Sequence, residues 1–415
     1  MKTKVGVFFG GRSVEHEISV ISALQAIAAL DAGRYDAVPI YITKQGRWLT
    51  GEVLLDSANY RDMAALARRA TEVWMKPEYG DHRLYRKGRL GRTQVVAQFD
   101  VALPVLHGTN GEDGTFQGLM ELIGIPYVGC NVLSSAVGMD KIAMKMMLRE
   151  SGIPVIDYVW FTDRQWGTER DDLVARIEEK IGYPVIVKPA NLGSSVGISR
   201  ARGHAELVRA VGEAIGYSSR IIVERMIDPL REINCSVCGS ADDHRASVCE
   251  EPLRSGEILS YADKYMSGGG TGTKNGGTKM SGAAGAKSGT ASGGMSSTKR
   301  RIPADLPETV SEEIRRLAAE TFRVLGCEGV ARVDFILDGA EVVYVNEINT
   351  IPGSLSFYLW EATGLSFDKL MDTLIAQALK RERDKGHKTV SYDQNIFAYT
   401  GAAGAKGGTK FSGKK

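Results

Sequence analysis

Four side chains in the last third of the chain have the types to hold a cation and to face a developing negative charge. Within VARVDFILDGAEVVYVNEIN, Arg332 and Asp334 precede the turn signal Asp338-Gly339, and Glu347 and Asn349 follow it. A two-residue turn would pair position 334 with 343, and a four-residue loop would pair it with 345. Either register leaves all four side chains on one face, because strand side chains alternate. Two carboxylates, a carboxamide and a guanidinium fit either a solvated outer face or a site for a hard cation. The Val, Phe, Ile and Leu of the same strands, and the gathering of the set at one end of the hairpin, favour the second. Oxygen-only ligands suit Mg²⁺, which takes few carboxylates and completes its shell with phosphate oxygens.

A second set carries positive charge. Lys188 leaves an apolar strand in PVIVKPANLGSSVG and is followed by Gly193, Ser194, Ser195 and Gly197. A point charge beside closely approaching backbone N–H groups is a way to bind phosphate. The spacing is neither that of a P-loop nor the dinucleotide glycine pattern, and a glycine-rich hairpin without ligand is the competing account. Lys141 in GMDK and Lys264 in YADKY add two cations whose nearest acids are the adjacent Asp140 and Asp263. In GGRSVEHEIS, Glu15 stands at a helix start, where the dipole stabilises a carboxylate. Ser13 is the better cap, which leaves Glu15 for another role. His107 in LHGTNGEDG lies just past a buried strand, the edge at which α/β sheets bind ligands. His16 and the other histidines read as surface residues.

These residues need elements to hold them. VGVFFGG, followed by helical apolar spacing from Ser13 to Leu30, is a strand, a glycine turn and a helix. AVPIYIT and FDVALPVLHG read as further buried parallel strands. Together they describe an N-terminal open parallel α/β domain over residues 1–135. A helix from Ala136, stopped at Gly152 and Pro154, opens a central unit over 136–218 that includes the Lys188 hairpin. RIIVERMI opens a third unit over 219–388, with REINCSVCGS, ASVCEEPL and the Arg332–Asn349 hairpin as strands and Pro307–Leu325 and Phe367–Lys385 as helices. Residues 389–415 form a basic, glycine-rich tail.

With 415 residues, 43% hydrophobic and 25% charged, the chain can bury two or three cores. A net charge of +2, with its basic excess in low-complexity segments, argues against a nucleic-acid surface. No stretch approaches the ~20 apolar residues of a membrane span. Five widely spaced cysteines point to reduced thiols and a cytoplasmic location; in CSVC the strand setting turns the two thiols to opposite faces, which speaks against a zinc set. One segment stands apart. Residues 266–301 contain no Asp or Glu, start directly after Tyr265, and share the hexapeptide GAAGAK with the tail.

Taken in order, GGRSVEHEIS, LHGTNGEDGTFQGLMELIGIPYVG, GMDK, PVIVKPANLGSSVG, YADKY, ARVDF and NEINTIPG resemble the D-alanine–D-alanine ligases of the ATP-grasp superfamily, from about Val5 to Lys380. The resemblance implies an ATP-grasp fold, with two α+β ATP-grasp subdomains behind the N-terminal α/β domain. It implies ATP between the second and third units, with Lys141 and Lys188 on its phosphates, Lys264 reaching the γ-phosphate, and Glu224 and Glu232 on adenine and ribose. Asp334, Glu347 and Asn349 match ligands of Mg²⁺ (two ions, with Mn²⁺ as a substitute). Glu15, Ser194 and Tyr265 match a hydrogen-bonded trio that holds the first amino acid and braces the lid, and His107 a residue near the substrate carboxylate. Arg332 and the backbone N–H of Gly353 match the groups that stabilise the tetrahedral oxyanion.

The activity so implied is the ATP-dependent, ADP-forming joining of two D-alanines through an acyl phosphate, for peptidoglycan, by a homodimer. D-Serine or D-lactate as second substrate, or a non-catalytic ATP-grasp sensor, are the alternatives. Tyr358, next to Leu359 in the stretch that meets the second substrate, stands where typical members carry a serine that holds its carboxylate. Tyr265 is kept where D-lactate-using relatives tend to carry His. Segment 266–301 occupies the position of the family's lid loop and is far longer than that loop; its lysines and the Lys299-Arg300-Arg301 cluster could be drawn toward nucleotide.

Overall fold

Short apolar strands alternating with helices build the first unit. Its strands β1 (Thr3–Gly10), β2 (Tyr35–Ile42), β3 (Trp48–Thr50) and β4 (Thr71–Val73) lie side by side, β5 (Arg83–Lys87) and β6 (Thr93–Gln98) form a separate hairpin, and β7 (Val101–Val105) returns beside β1. β2 and β7 flank β1 in parallel, while β2–β3 and β3–β4 are antiparallel, so the expected parallel strands are the middle of a mixed sheet. The helix between β1 and β2 begins at His16, not at Ser13. Ser13 Oγ accepts the Glu15 N–H at 3.1 Å, and no side chain caps the helix. The computed structural model describes residues 2–88, 91–193, 196–253 and 300–390. Ser194, Lys264, Tyr265, the insertion up to residue 299 and the tail from 391 lie outside the described residues.

The single helix expected after Ala136 is two, Val132–Met139 and Lys141–Glu150. Asp140 breaks it. Its carboxylate accepts the N–H groups of Ile142 and Ala143 at 3.0 and 2.8 Å and pairs with Arg220, so it caps the second helix instead of continuing the first.

The central sheet holds β8 (Tyr158–Thr162), β9 (Val185–Pro189), β10 (Ser199–Ala201) and β11 (Arg220–Arg225) in the order β10-β9-β11-β8, all antiparallel. β11 therefore belongs by its pairing to the central unit and does not open the third, as 219–388 would have it. The reason is apolar: Ile221 and Val223 complete the face made by Val185 and Val187 under helices Arg170–Lys180 and His204–Ile215.

The third sheet comprises β12 (Arg231–Gly239), β13 (His244–Pro252), β14 (Arg300–Arg301), β15 (Gly329–Leu337) and β16 (Val343–Asn349), in the order β14-β13-β12-β15-β16. Odd-numbered residues of β12 and β15 (Ile233, Cys235, Val237, Ala331, Val333, Phe335) are buried with Ile314, Leu317 and Phe322 of helix Glu308–Val324. Cys235 lies in this core and Cys238 in the one on the other side, the opposite facing expected of a strand. The last helix, Phe367–Lys385, crosses back to the first unit and buries Leu370, Met371, Leu374 and Ile375 with Val5, Val7 and Val105.

Candidate active site

With one face of each of the central and third sheets spent on its own helices, the other faces are left, and each sets charged side chains among buried apolar ones such as Ile222 and Val330. On the central sheet Lys188 and Glu224 project from β9 and β11 opposite the side that holds Val187 and Val223. On the third sheet strand register alone lines up Glu250, Asn234, Asp334 and Glu347 in one row across β13, β12, β15 and β16. Arg332 and Asn349 pair in the adjacent row. The faces touch directly: Lys188 Nζ donates to Glu224 Oε2 at 2.6 Å and to Asn346 Oδ1 at 3.2 Å.

The register that makes this row differs from both expected turns. Residues 338–342 separate the last pair, Leu337–Val343. This five-residue loop by itself would set Asn346 opposite Asp334 and turn Glu347 and Asn349 into the core. A β-bulge between Asp334 and Phe335 corrects the parity: Phe335 pairs with Val345, but Asp334 pairs with Glu347. Asn346 is the extra residue. The burial pattern records the switch, since Val343, Val345 and then Ile348 enter the core.

Each carboxylate of the set has a cation beside it. Arg332 binds Asp334 in a fork at 2.6 and 2.8 Å, and Asn349 Nδ2 donates to Asp334 at 3.1 Å. Lys141 sits 3.2 Å from Glu347 and donates to the Leu192 carbonyl at 2.8 Å. Burial alone would lower the Lys188 ammonium, but Glu224 overrules it and holds it raised. Among the described residues no group of three or more His, Cys, Asp or Glu forms a metal cage. Glu232 lies on the same face of β12 as Asn234 and acts on Lys188 by its charge. Glu224, placed on adenine or ribose by the resemblance, is 1% exposed and turns its two oxygens to Lys145 and Lys188.

The first unit closes the rim. Glu15 is buried, and a side-chain carbon added at Gly108, where φ is +74°, would fall 2.8 Å from its Oε2, while one at Gly193 would fall 3.2 Å from it. His107 is engaged at both nitrogens, Nδ1 with the Ile351 carbonyl at 2.8 Å and Nε2 with Ser22 Oγ at 2.9 Å. A carbonyl only accepts, so Nδ1 carries the proton and Nε2 accepts from Ser22. Burial lowers the His107 pKa, in keeping with a neutral ring. Ser22 Oγ in turn accepts the Ser354 N–H at 2.9 Å. The ring thus holds the turn Gly353–Ser356, in which Ser354, Leu355 and Ser356 all have φ near +52°. Left-handed backbone costs each about 1–2 kcal/mol, a strain kept next to the Gly353 N–H.

Tyr358 is committed elsewhere. Its hydroxyl donates to Glu250 Oε1 at 3.2 Å, Asn234 donates to the same oxygen at 2.8 Å, and Arg300 donates to Oε2 at 3.1 Å. The Arg300 guanidinium lies 4.0 Å above the Tyr358 ring. Burial and Glu250 push the phenol up to about 12, so it stays a donor. Leu359 is fully buried.

Residues 4–130 match the family model for the D-ala D-ala ligase N-terminus, and residues 147–280 and 290–376 match that for the D-ala D-ala ligase C-terminus. The chain belongs to the D-alanine–D-alanine ligase family. A D-alanine–D-alanine ligase of Thermosipho melanesiensis is 38% identical over 393 residues, covering 95% of this chain and 98% of that one. Among solved structures, the D-alanine–D-alanine ligase from Coxiella burnetii superposes with a TM-score of 0.73 at 32% identity, covering 93% of this chain and 96% of that one. The VanG D-Ala:D-Ser ligase from Enterococcus faecalis superposes equally well, with a TM-score of 0.73 at 30% identity over 91% of this chain and 100% of that one.

Within this ligase fold three groups escape a reading of the sequence, and a fourth is misplaced by it. His16 is 2% exposed, not a surface residue, and its ring bonds the Gly11 carbonyl and the Tyr41 hydroxyl. Lys145 and Asn346 lie among the site's charges, although Lys145 stands one helical turn from Lys141 and could have been found by that spacing. Glu112 accepts the N–H groups of Gly108 and Ile351 at 2.8 and 2.9 Å, tying the first unit to the end of β16. Burial, and then Glu15, push its carboxyl up to about 8. A folded pKa above the unfolded value means that stability from this group is present in full below about 4.5 and is lost as pH rises through about 8. Between those values wild-type stability should fall, relative to Glu112→Gln, by up to roughly 1.4 kcal/mol per pH unit. Urea unfolding of both proteins at pH 5.5 and 8 measures it; a stability difference that does not change with pH would refute the assignment.

Proposed function

We infer that this chain joins two D-alanines using ATP, forming D-alanyl-D-alanine, ADP and phosphate. One observation carries the reading: Lys141, from helix Lys141–Glu150, lies 3.2 Å from Glu347, and Lys188, from the central sheet, reaches Asn346 beside it, so two cations stand at the row that holds Arg332, Asp334, Glu347 and Asn349. A carboxylate is a poor electrophile. Transfer of the γ-phosphoryl group of ATP to the carboxylate of the first D-alanine makes it an acyl phosphate and releases ADP. The neutral amine of the second D-alanine attacks the carbonyl carbon, the bond to the phosphate oxygen breaks, and phosphate leaves with the electron pair while the amine gives up a proton. Lys141 and Lys188 offset charge on the transferring phosphoryl group, and Arg332 and the Gly353 N–H face the oxyanion. Glu15 orients the first amino acid at the rim. An acyl phosphate hydrolyses in water, so the cleft must exclude solvent.

The donor set fits Mg²⁺: oxygen atoms from two carboxylates and a carboxamide, with Arg332 and Lys141 now beside the carboxylates. Bound by Asp334, Glu347 and Asn349, Mg²⁺ would draw electron density from the phosphate oxygens. Two ions, Mn²⁺ as a substitute, a homodimer and a cytoplasmic setting are further parts of the reading; five free, buried cysteines suit a reducing compartment.

D-Serine or D-lactate as second substrate is the alternative, since the Tyr358 hydroxyl is bound to Glu250 and the resemblance sets a serine that holds the acceptor's carboxylate at this position. Phosphate release with D-alanine alone, and with D-alanine plus D-serine or D-lactate, separates the two, with products identified by mass. D-Alanine alone should suffice; preference for D-serine or D-lactate would overturn the choice.

A further inference from the structure

Lys145 has no part in the chemistry above, yet it is 0% exposed and lies among the site's charges. It stands one turn beyond Lys141 on helix Lys141–Glu150, so both ammonium groups leave the same helix face. Its Nζ is 3.0 Å from Glu224 Oε1, while Glu224 Oε2 accepts from Lys188 at 2.6 Å. One carboxylate therefore serves two lysines. The Lys145 contact is an ion pair rather than an aligned hydrogen bond, for neither Lys145 Nζ nor Glu224 Oε1 has a hydrogen-bond partner among the described residues.

A lysine in this position is an expensive way to fill space. Desolvating an ammonium group is costly, and an apolar side chain of similar volume in place of a buried ion is often neutral or stabilising. Burial lowers the Lys145 ammonium, and the Glu224 carboxylate is what opposes it. What the charge alters is the availability of Lys188. Without it, Lys188–Glu224 and Lys141–Glu347 would be two closed, neutral pairs facing an incoming polyanion. With it, Glu224 is shared between two lysines and keeps a counterion when Lys188 turns to another anion. Burial would raise the Glu224 carboxyl, but Lys145 and then Lys188 overrule burial and hold it at about 2, so it stays charged.

We propose that Lys145 is a positioning residue for nucleotide binding: a fixed counterion behind Glu224 that leaves the Lys188 ammonium available to phosphate. The proposal rests on the reading that the phosphates of ATP lie against Lys141 and Lys188. Calorimetric titration of Mg·ADP into wild type, Lys145→Met, Glu224→Gln and the double variant tests it, with thermal unfolding of each as the control for folding. Lys145→Met should bind at least tenfold more weakly and raise KM for ATP more than it lowers kcat. Adding Glu224→Gln should recover most of the loss, because Lys188 then has no carboxylate to hold it back. Mg·ADP affinity of Lys145→Met equal to wild type, or a double variant no better than Lys145→Met, would overturn the role. If Lys145→Met does not fold, the double variant against Glu224→Gln decides: affinities within about threefold are expected, and a tenfold loss there overturns the proposal. Wild type that binds no Mg·ADP would instead sink the nucleotide reading itself.

Discussion

Glu347→Ala should lower phosphate release by at least about 10²-fold, beyond the usual loss from a group that only supports a ligand, while the protein stays folded. Glu347 is part-exposed on the polar face of β16, so truncation opens no apolar cavity in the core behind it. Lys141 loses its 3.2 Å partner but keeps its bond to the Leu192 carbonyl, which limits the penalty of an unpaired charge. A melting temperature within a few degrees of wild type follows. Glu347→Gln keeps the shape and removes the charge, so it should lose activity to a similar extent if the carboxylate acts as a ligand. Turnover unchanged in either variant refutes the metal assignment. Activity lost together with the melting transition would show a structural role instead.

The site's residue types were legible, and their geometry only partly so. Alternation along a strand put Arg332, Asp334, Glu347 and Asn349 on one face, and they do share it, but by a route no local pattern announces. The loop is five residues long and not two or four, which reverses parity, and the bulge at Asn346 reverses it again. Pairing between distant segments was hidden for the same reason. RIIVERMI reads equally well as the start of a new sheet, and only its fit against Val185 and Val187 assigns it to the central one. Lys145 sits in KIAMKMML, where a lysine among apolar residues reads as a stem running along the surface. Its burial depends on Glu224, 79 positions further along the chain, being brought to 3.0 Å. Asp140 shows the opposite failure: a break in a helix that its own side chain causes, visible in GMDK as a cap signal but overridden by the apolar spacing on both sides.

Inserting one alanine between Asn346 and Glu347 should abolish activity and lower the melting temperature by far more than a loop deletion does. With the one-residue bulge kept, the added alanine takes the place opposite Asp334, placing Ile348 on the polar face and driving Glu347 and Asn349 toward the core that holds Val333 and Phe335. A carboxylate there has no partner, and burying it costs several kcal/mol. The alternative, regular pairing from Val345 onward, spares that cost but sets Asn346 opposite Asp334 and moves Glu347 opposite Arg332, so neither outcome leaves a site. Deleting Ala340 provides the control. It removes one residue from the exposed part of the same hairpin, shortens the loop from five residues to four, and can leave the Leu337–Val343 pair and the bulge in place. Activity within about threefold of wild type, roughly 0.6 kcal/mol in the barrier, is expected for that variant. If the insertion and the loop deletion behave alike, the register beyond the bulge is not what sets the place of Glu347, and the row of Glu250, Asn234, Asp334 and Glu347 needs another explanation.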